Sequence, residues 1–128
     1  MKRIEVVAAV IEHNGKYFAT QRGYGDYKDK WEFPGGKMEK GEISEEALVR
    51  EIKEELATTI SVDKFIYTVD CDYAEFHLTM HSFLCHVVSG KLQLLEAEDA
   101  QWLDEQHLNT VDWLPADREV IDKIINKE

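Results

Sequence analysis

Two hydrophobic periods alternate along this chain, and the switches between them mark out its elements. Residues 4–11 form a nearly continuous apolar run rich in β-branched side chains, which predicts a buried strand. His13, Asn14, Gly15 and Lys16 carry a turn signal, so residues 16–21 return as the paired strand. From Ser44 the period becomes helical. Leu48, Val49, Ile52 and Leu56 share one arc, and Glu51, Glu54 and Glu55 fall within another of about 100°. Ser44 is expected to cap this helix, and Glu45 and Glu46 suit the positive end of its macrodipole. Residues 59–69 read as strand material broken around Asp63 and Lys64. Residues 77–88 read as a longer strand, with Leu78, Met80, Ser82 and Leu84 alternating with His77, Thr79, His81 and Phe83. Ser89, Gly90 and Lys91 turn the chain, residues 96–99 form an acidic loop, and residues 104–108 predict a short helical turn. Val120, Ile121, Ile124 and Ile125 stripe a last helix. Two helices around mostly antiparallel strands make an α+β fold.

The 128 residues are expected to form one domain, 1–128, around a single core. A net charge of −11 argues against nucleic-acid polymers, whose binding depends on lysine and arginine neutralising phosphates. It leaves a nucleotide open as a ligand, because a bound metal ion reverses the local sign. Cys71 and Cys85 give neither a disulfide framework nor a metal-ligand spacing, so a reducing compartment is expected. Lys2 and Arg3 precede an apolar stretch interrupted at Glu5 and Glu12, which does not read as a signal peptide, and no run approaches a membrane span. The expectation is a soluble, cytoplasmic protein.

The helical glutamates carry the chemistry. Like charges at i, i+3 and i+4 repel by a few tenths of a kcal/mol per pair, so a cation is expected beside Glu51, Glu54 and Glu55. Hard divalent ions, Mg²⁺ above all, take carboxylate oxygens and keep water or substrate phosphate on their other positions. Just upstream, the glycines of Phe33-Pro34-Gly35-Gly36 allow a close backbone approach. Arg22 opens a glycine-rich polar loop and is either a phosphate grip or a solvated strand-end arginine. Lys37 is either a phosphate contact or simply exposed. His77 and His81 share a strand face, but nothing around them resembles a transition-metal site.

Gly36, five residues, Glu42, seven residues, then Arg50-Glu51-Ile52-Lys53-Glu54-Glu55 resembles the Nudix box, G-x5-E-x7-R-E-U-x-E-E-x-G-U, where U is a bulky aliphatic residue. Two positions depart: Ala57 stands for the box glycine and Thr58 for an aliphatic residue. If residue 57 must be left-handed, alanine costs about 1 kcal/mol relative to glycine.

The resemblance implies an α/β/α sandwich with a mixed, mostly antiparallel sheet, and hydrolysis of a nucleoside diphosphate linked to another group. It implies Mg²⁺, with Mn²⁺ able to substitute, held by Glu54, Glu55, Glu51 and the Gly35 carbonyl. Glu51 would also orient or activate water. Arg50 would hold a box carboxylate in place, and Glu42 would support the site without touching the metal.

Trp31-Glu32-Phe33-Pro34-Gly35-Gly36-Lys37 looks like the MutT and CTP pyrophosphohydrolase branch. That likeness implies substrate contacts from Arg22, Phe33, Lys37 and Asp117. It also implies a further metal ligand or base six residues before a tryptophan, which is Glu96 before Trp102, with Glu98 as the alternative. Asp117 would read the base: ionised, it can only accept, which suits an exocyclic amine such as that of cytosine. Its other reading is a cap of the last helix.

The expected activity is nucleoside triphosphate pyrophosphohydrolysis, on cytosine nucleotides or on oxidised dNTPs such as 8-oxo-dGTP. The rivals are hydrolysis of another nucleoside-diphosphate derivative and a non-catalytic nucleotide-binding module. The expected partner is a small nucleotide rather than a nucleic-acid polymer or a membrane, and the protein itself is expected to be a monomer or homodimer.

Overall fold

The first apolar run is buried on both faces because a helix covers each side of its sheet. In the computed structural model, which describes residues 2–126, strand β1 (Lys2–His13) sends Val7, Ala9 and Ile11 to one side. There they meet Leu48, Ile52 and Leu56 of helix α1 (Ser44–Leu56). Ala8 and Val10 point the other way, into a second core with Val120 and Ile121 of helix α2 (Pro115–Asn126). Period-2 alternation with both faces apolar yields the unbroken run.

Asn14 and Gly15 take φ of 51° and 77°, the two left-handed positions of a tight hairpin turn into β2 (Lys16–Gln21). The short strands β3 (Trp31–Glu32) and β4 (Gly35–Lys37) follow, and then α1. The rest runs β5 (Thr59–Asp72), β6 (Phe76–Ser89), β7 (Asp99–Asp104), a 3₁₀ turn (Glu105–Thr110) and α2. β1 lies between β4 and β6. Its ladder to β6 is parallel over ten pairs, from Lys2↔Phe76 to Ile11↔Cys85, whereas β4, β5, β2, β3 and β7 all pair antiparallel. The mixed, mostly antiparallel sheet between two helices is the expected sandwich.

Four local expectations are corrected. The break at Asp63 and Lys64 is a bulge: β5 continues through it, with register shifts at Thr59/Ile60, Val62/Lys64 and Phe65/Tyr67. Ser44 is the first helical residue rather than the cap. Ile43 holds the cap position without a side-chain bond, and the Ser44 hydroxyl turns to the Met38 sulfur at 3.9 Å. Val49, placed on the apolar arc, is 36% exposed, because the sheet reaches only the Ala47, Leu48, Ile52 and Leu56 side of α1. Ile125 likewise lies at the exposed margin of the α2 stripe.

Ala57 ends α1 at φ 53°, ψ 37°, the left-handed cap that makes glycine the usual residue there. Thr58 is fully buried, and its hydroxyl donates to the Leu56 carbonyl at 2.9 Å, which satisfies a polar group where the box has an aliphatic one. Cys71 and Cys85 are free thiols. Among the described residues, no helix is long and apolar enough to cross a membrane.

Candidate active site

β4 brings the glycine loop against both β1 and the carboxylate face of α1; a side chain at residue 35 would strike backbone, and one at residue 36 would displace the Glu51 carboxylate. A Cβ on Gly35 would lie 1.9 Å from the Val7 carbonyl oxygen, and one on Gly36 would lie 2.2 Å from Glu51 Oε2. The loop is held at that distance from the helix by the Gly35 N–H, which donates to Glu55 Oε2 at 3.3 Å. Above this junction opens a cleft of about 370 Å³ lined by Arg22, Glu32, Lys37, Glu51, Glu55 and Glu96 among others.

Glu55 is half-buried in the cleft wall. Desolvation and the charges of Glu32, Glu96 and Glu51 push its carboxyl up to about 8, against the Gly35 amide, which favours the ionised form.

Arg50 organises the other side. Its Nε and Nη2 form a fork with Glu42, at 2.7 Å to Oε2 and 2.8 Å to Oε1, and Nη2 also reaches the Lys37 carbonyl at 3.1 Å. Nη1 donates to Glu51 Oε1 at 3.0 Å and to Glu54 Oε1 at 3.1 Å. Glu42 is itself oriented by the Glu39 N–H at 2.7 Å, and the Arg50 bonds hold its carboxyl down at about 2. Arg50 therefore pairs with box carboxylates, as the sequence leads one to expect.

Glu54, with its side chain 54% exposed, is absent from the lining that Glu51, Glu55 and Glu96 share, and meets Glu51 through the Arg50 Nη1 that both accept from. Among the described residues, no three His, Cys, Asp or Glu side chains are gathered closely enough to hold a metal ion as they stand. The donor set nevertheless suits a hard cation, because Glu51, Glu55 and Glu96 are all oxygen donors and their mutual charge raises the cost of ionising Glu55.

The two loop acids separate clearly. Glu96 lines the cleft, whereas Glu98 lies 3.5 Å from Lys28 Nζ on the outer loop. His77 bonds Asp72 at 2.7 Å and Asp70 at 3.0 Å, and His81 bonds Glu5 at 2.6 Å, so both histidines are committed to carboxylates on neighbouring strands.

A second hollow of about 140 Å³ adjoins the cleft, sharing Arg22, Glu32, Gly35, Gly36 and Phe76 with it and adding Tyr27, Phe33, Tyr73 and Asp117. Phe33 packs on Trp113 with ring centroids 4.8 Å apart, and Tyr73 stacks on Phe76 at 4.9 Å and 8°. Asp117 does not cap α2. It is buried inside the first turn, and Oδ1 accepts the Phe33 N–H at 2.9 Å. Burial and the Glu32 charge push its carboxyl up to about 8, partly offset by the Phe33 amide and by Arg22.

Tyr73 and Phe76 escape the sequence reading, although two aromatics flanking a short turn between strands were a usable signal. Glu32 escapes it too, because its role depends on a partner ten residues away. An acidic cleft beside an aromatic hollow can hold a metal-bound polyphosphate and a flat ring side by side.

A family model described as the NUDIX domain matches residues 1–124. The chain is 35% identical to the CTP pyrophosphohydrolase of Escherichia coli K12, over 91% of this chain and 87% of that one. It is 31% identical to the 8-oxo-dGTP diphosphatase of the same strain, over 97% and 98%. Among solved structures, the solution structure of the E. coli ORF135 protein superposes with a TM-score of 0.85 at 33% identity, covering 98% of this chain and 91% of that one.

Proposed function

The chain belongs to the Nudix family, and on that premise we propose that it hydrolyses nucleoside triphosphates, normal or modified, to a nucleoside monophosphate and pyrophosphate. The observation that carries this reading is the pair of adjoining hollows, one lined by carboxylates, Arg22 and Lys37, the other by aromatics and Asp117. A triphosphate and its base divide naturally between them.

Glu51, Glu54, Glu55, Glu96 and the Gly35 carbonyl would hold Mg²⁺, or Mn²⁺ in its place. Bound there, the ion would neutralise the polyphosphate and stabilise charge developing on the leaving oxygens. The other tasks fall to the chain's own groups. Arg22 and Lys37 bind phosphate oxygens, Glu51 orients the attacking water or takes its proton, and Glu42 holds Arg50 so that the box carboxylates stay aimed. Phe33, Tyr73 and Phe76 enclose the base, and Asp117 reads its edge. A reducing, cytoplasmic setting suits the free thiols and a nucleotide substrate.

The test is a panel of normal and damaged nucleoside triphosphates with Mg²⁺, scored for pyrophosphate against orthophosphate. Release of a nucleoside diphosphate and orthophosphate would refute the pyrophosphohydrolase assignment, and ¹⁸O from labelled water would identify the phosphorus attacked.

A further inference from the structure

The strand end that carries Arg22 is fixed before any ligand arrives. β2 and β3 pair with Thr20 opposite Glu32 and Gln21 opposite Trp31. The Arg22 N–H donates to the Lys30 carbonyl at 2.9 Å, and the Arg22 carbonyl accepts from the Asp29 N–H at 2.8 Å. From this anchored backbone the guanidinium lies edge-on to Glu32: Nε donates to Oε2 at 3.2 Å and Nη2 to Oε1 at 2.8 Å.

A guanidinium has five N–H donors, and this fork uses two. The remaining three, two on Nη1 and one on Nη2, have no protein acceptor among the described residues. Arg22 and Glu32 both border the cleft and the aromatic hollow, and Glu32 is the acidic side chain that the two hollows have in common.

We propose that Glu32 is a positioning residue for Arg22, holding the guanidinium plane so that its three remaining donors face the polyphosphate where the two hollows meet. The proposal rests on the nucleoside triphosphate reading above. A carboxylate beside a phosphate-binding arginine weakens its pull on an anion, so the pair is poorly explained by affinity alone. What Glu32 supplies is orientation. Ordering a long side chain in advance removes that cost from the binding step.

Glu32 also keeps Arg22 from closing the cleft. Glu55 and Glu96 line the same wall, and a guanidinium without a fixed partner would be drawn to them. An ion pair would then lie where phosphate belongs. The bidentate fork occupies one edge of the guanidinium and leaves the other edge open.

Because phosphate is gripped both before and during reaction, loss of the pair should act on KM rather than kcat. The experiment compares wild type, Glu32→Gln, Arg22→Ala and the double variant, using the nucleoside triphosphate that the wild type turns over best, with Mg²⁺. Glu32→Gln is expected to raise KM by about ten-fold with kcat within about three-fold, and the double variant to be no worse than Arg22→Ala alone. Losses that multiply in the double variant would mean that Glu32 acts without Arg22, and would overturn the proposal. So would an unchanged KM in a Glu32→Gln protein whose melting temperature has fallen, because the pair would then serve only to close residues 23–30.

A second measurement needs no turnover: the rise in melting temperature produced by inorganic tripolyphosphate with Mg²⁺. It should shrink in Glu32→Gln, and equally in Arg22→Ala and the double variant. An undiminished rise in Glu32→Gln overturns the proposal. If the wild type cleaves no nucleoside triphosphate, the functional assignment fails, and the tripolyphosphate comparison still judges the Glu32–Arg22 pair.

Discussion

Asp117 Oδ1 accepts the Phe33 backbone N–H at 2.9 Å, and so ties the first turn of α2 to the start of the glycine loop. Desolvation pushes this carboxyl up to about 8, so near neutrality the folded protein holds a proton that the unfolded chain releases near an ordinary value of about 4. The folded state binds more protons across that window, and its stability falls as pH rises through it. Asp117→Asn retains an acceptor for Phe33 and does not titrate. The variant's melting temperature should gain on wild type between pH 4 and about 8 and exceed it at the upper end; parallel curves would contradict the assignment.

The same proton bears on base choice. As a neutral acid Asp117 both donates and accepts, and above about pH 8 it can only accept. An acceptor favours the cytosine amine and faces the uracil carbonyl with another lone pair. The ratio of kcat/KM for CTP over UTP should therefore climb as pH passes about 8 in wild type and stay flat in Asp117→Asn. Equal ratios at every pH in both proteins would remove Asp117 from base reading.

Glu55→Gln should fold and lose turnover by roughly 10²- to 10³-fold, the loss of a few kcal/mol of transition-state charge stabilisation. Without metal its melting temperature should gain on wild type as pH rises from about 4.5 to about 8, where the native carboxyl keeps a proton that the unfolded chain has released, and should stay ahead above that range. Calorimetry with and without Mg²⁺ separates the two effects. Near-normal turnover in a folded variant would remove Glu55 from the site.

Glu42, held down at about 2 by the Arg50 fork, stabilises the fold fully above its ordinary range near 4.5 and loses that contribution as pH falls through about 2. The melting-temperature gap between wild type and Glu42→Gln should be constant above about pH 5 and close in acid. A gap that widens in acid would show that the fork does not exist in solution.

Ala57→Gly should stabilise the protein by about 1 kcal/mol, because the left-handed cap at φ 53° strains alanine and not glycine. Urea unfolding at neutral pH measures it, and a loss of stability would count against the cap geometry.

What the chain discloses in advance follows the range of the interaction. The Asn14–Gly15 turn and the buried row Leu48, Ile52 and Leu56 are local patterns and are found as read, and Arg50 bonds Glu51 and Glu54 as the family resemblance implies. Ser44 is misplaced by one position because a capping residue and a first-turn residue have the same preferences. Val49 is misjudged because arc membership does not say where the sheet ends. Glu32 matters through Arg22, a partner that only the pairing of β2 with β3 supplies, Tyr73 and Phe76 through the hollow that they border, and Asp117 looks like a cap until Phe33, just past the end of β3, comes beside it.

The parallel ladder that sets residues 2–11 beside residues 76–85 also fixes an order of events during synthesis. A polypeptide leaving the ribosome can close the Asn14–Gly15 hairpin at once, since its partners are neighbours in the chain. The central neighbour of β1, however, does not exist until residue 85 has emerged, and closing so long a loop is slow. Until then the β6-facing edge of the apolar segment 7–11, rich in β-formers and free of charge, stays unpaired even after β4 and α1 have emerged to cover its other edge and one face. Placing the glycine loop and α1 inside a single crossover thus keeps one edge of the central strand waiting for its partner while the chain between residues 11 and 76 is made.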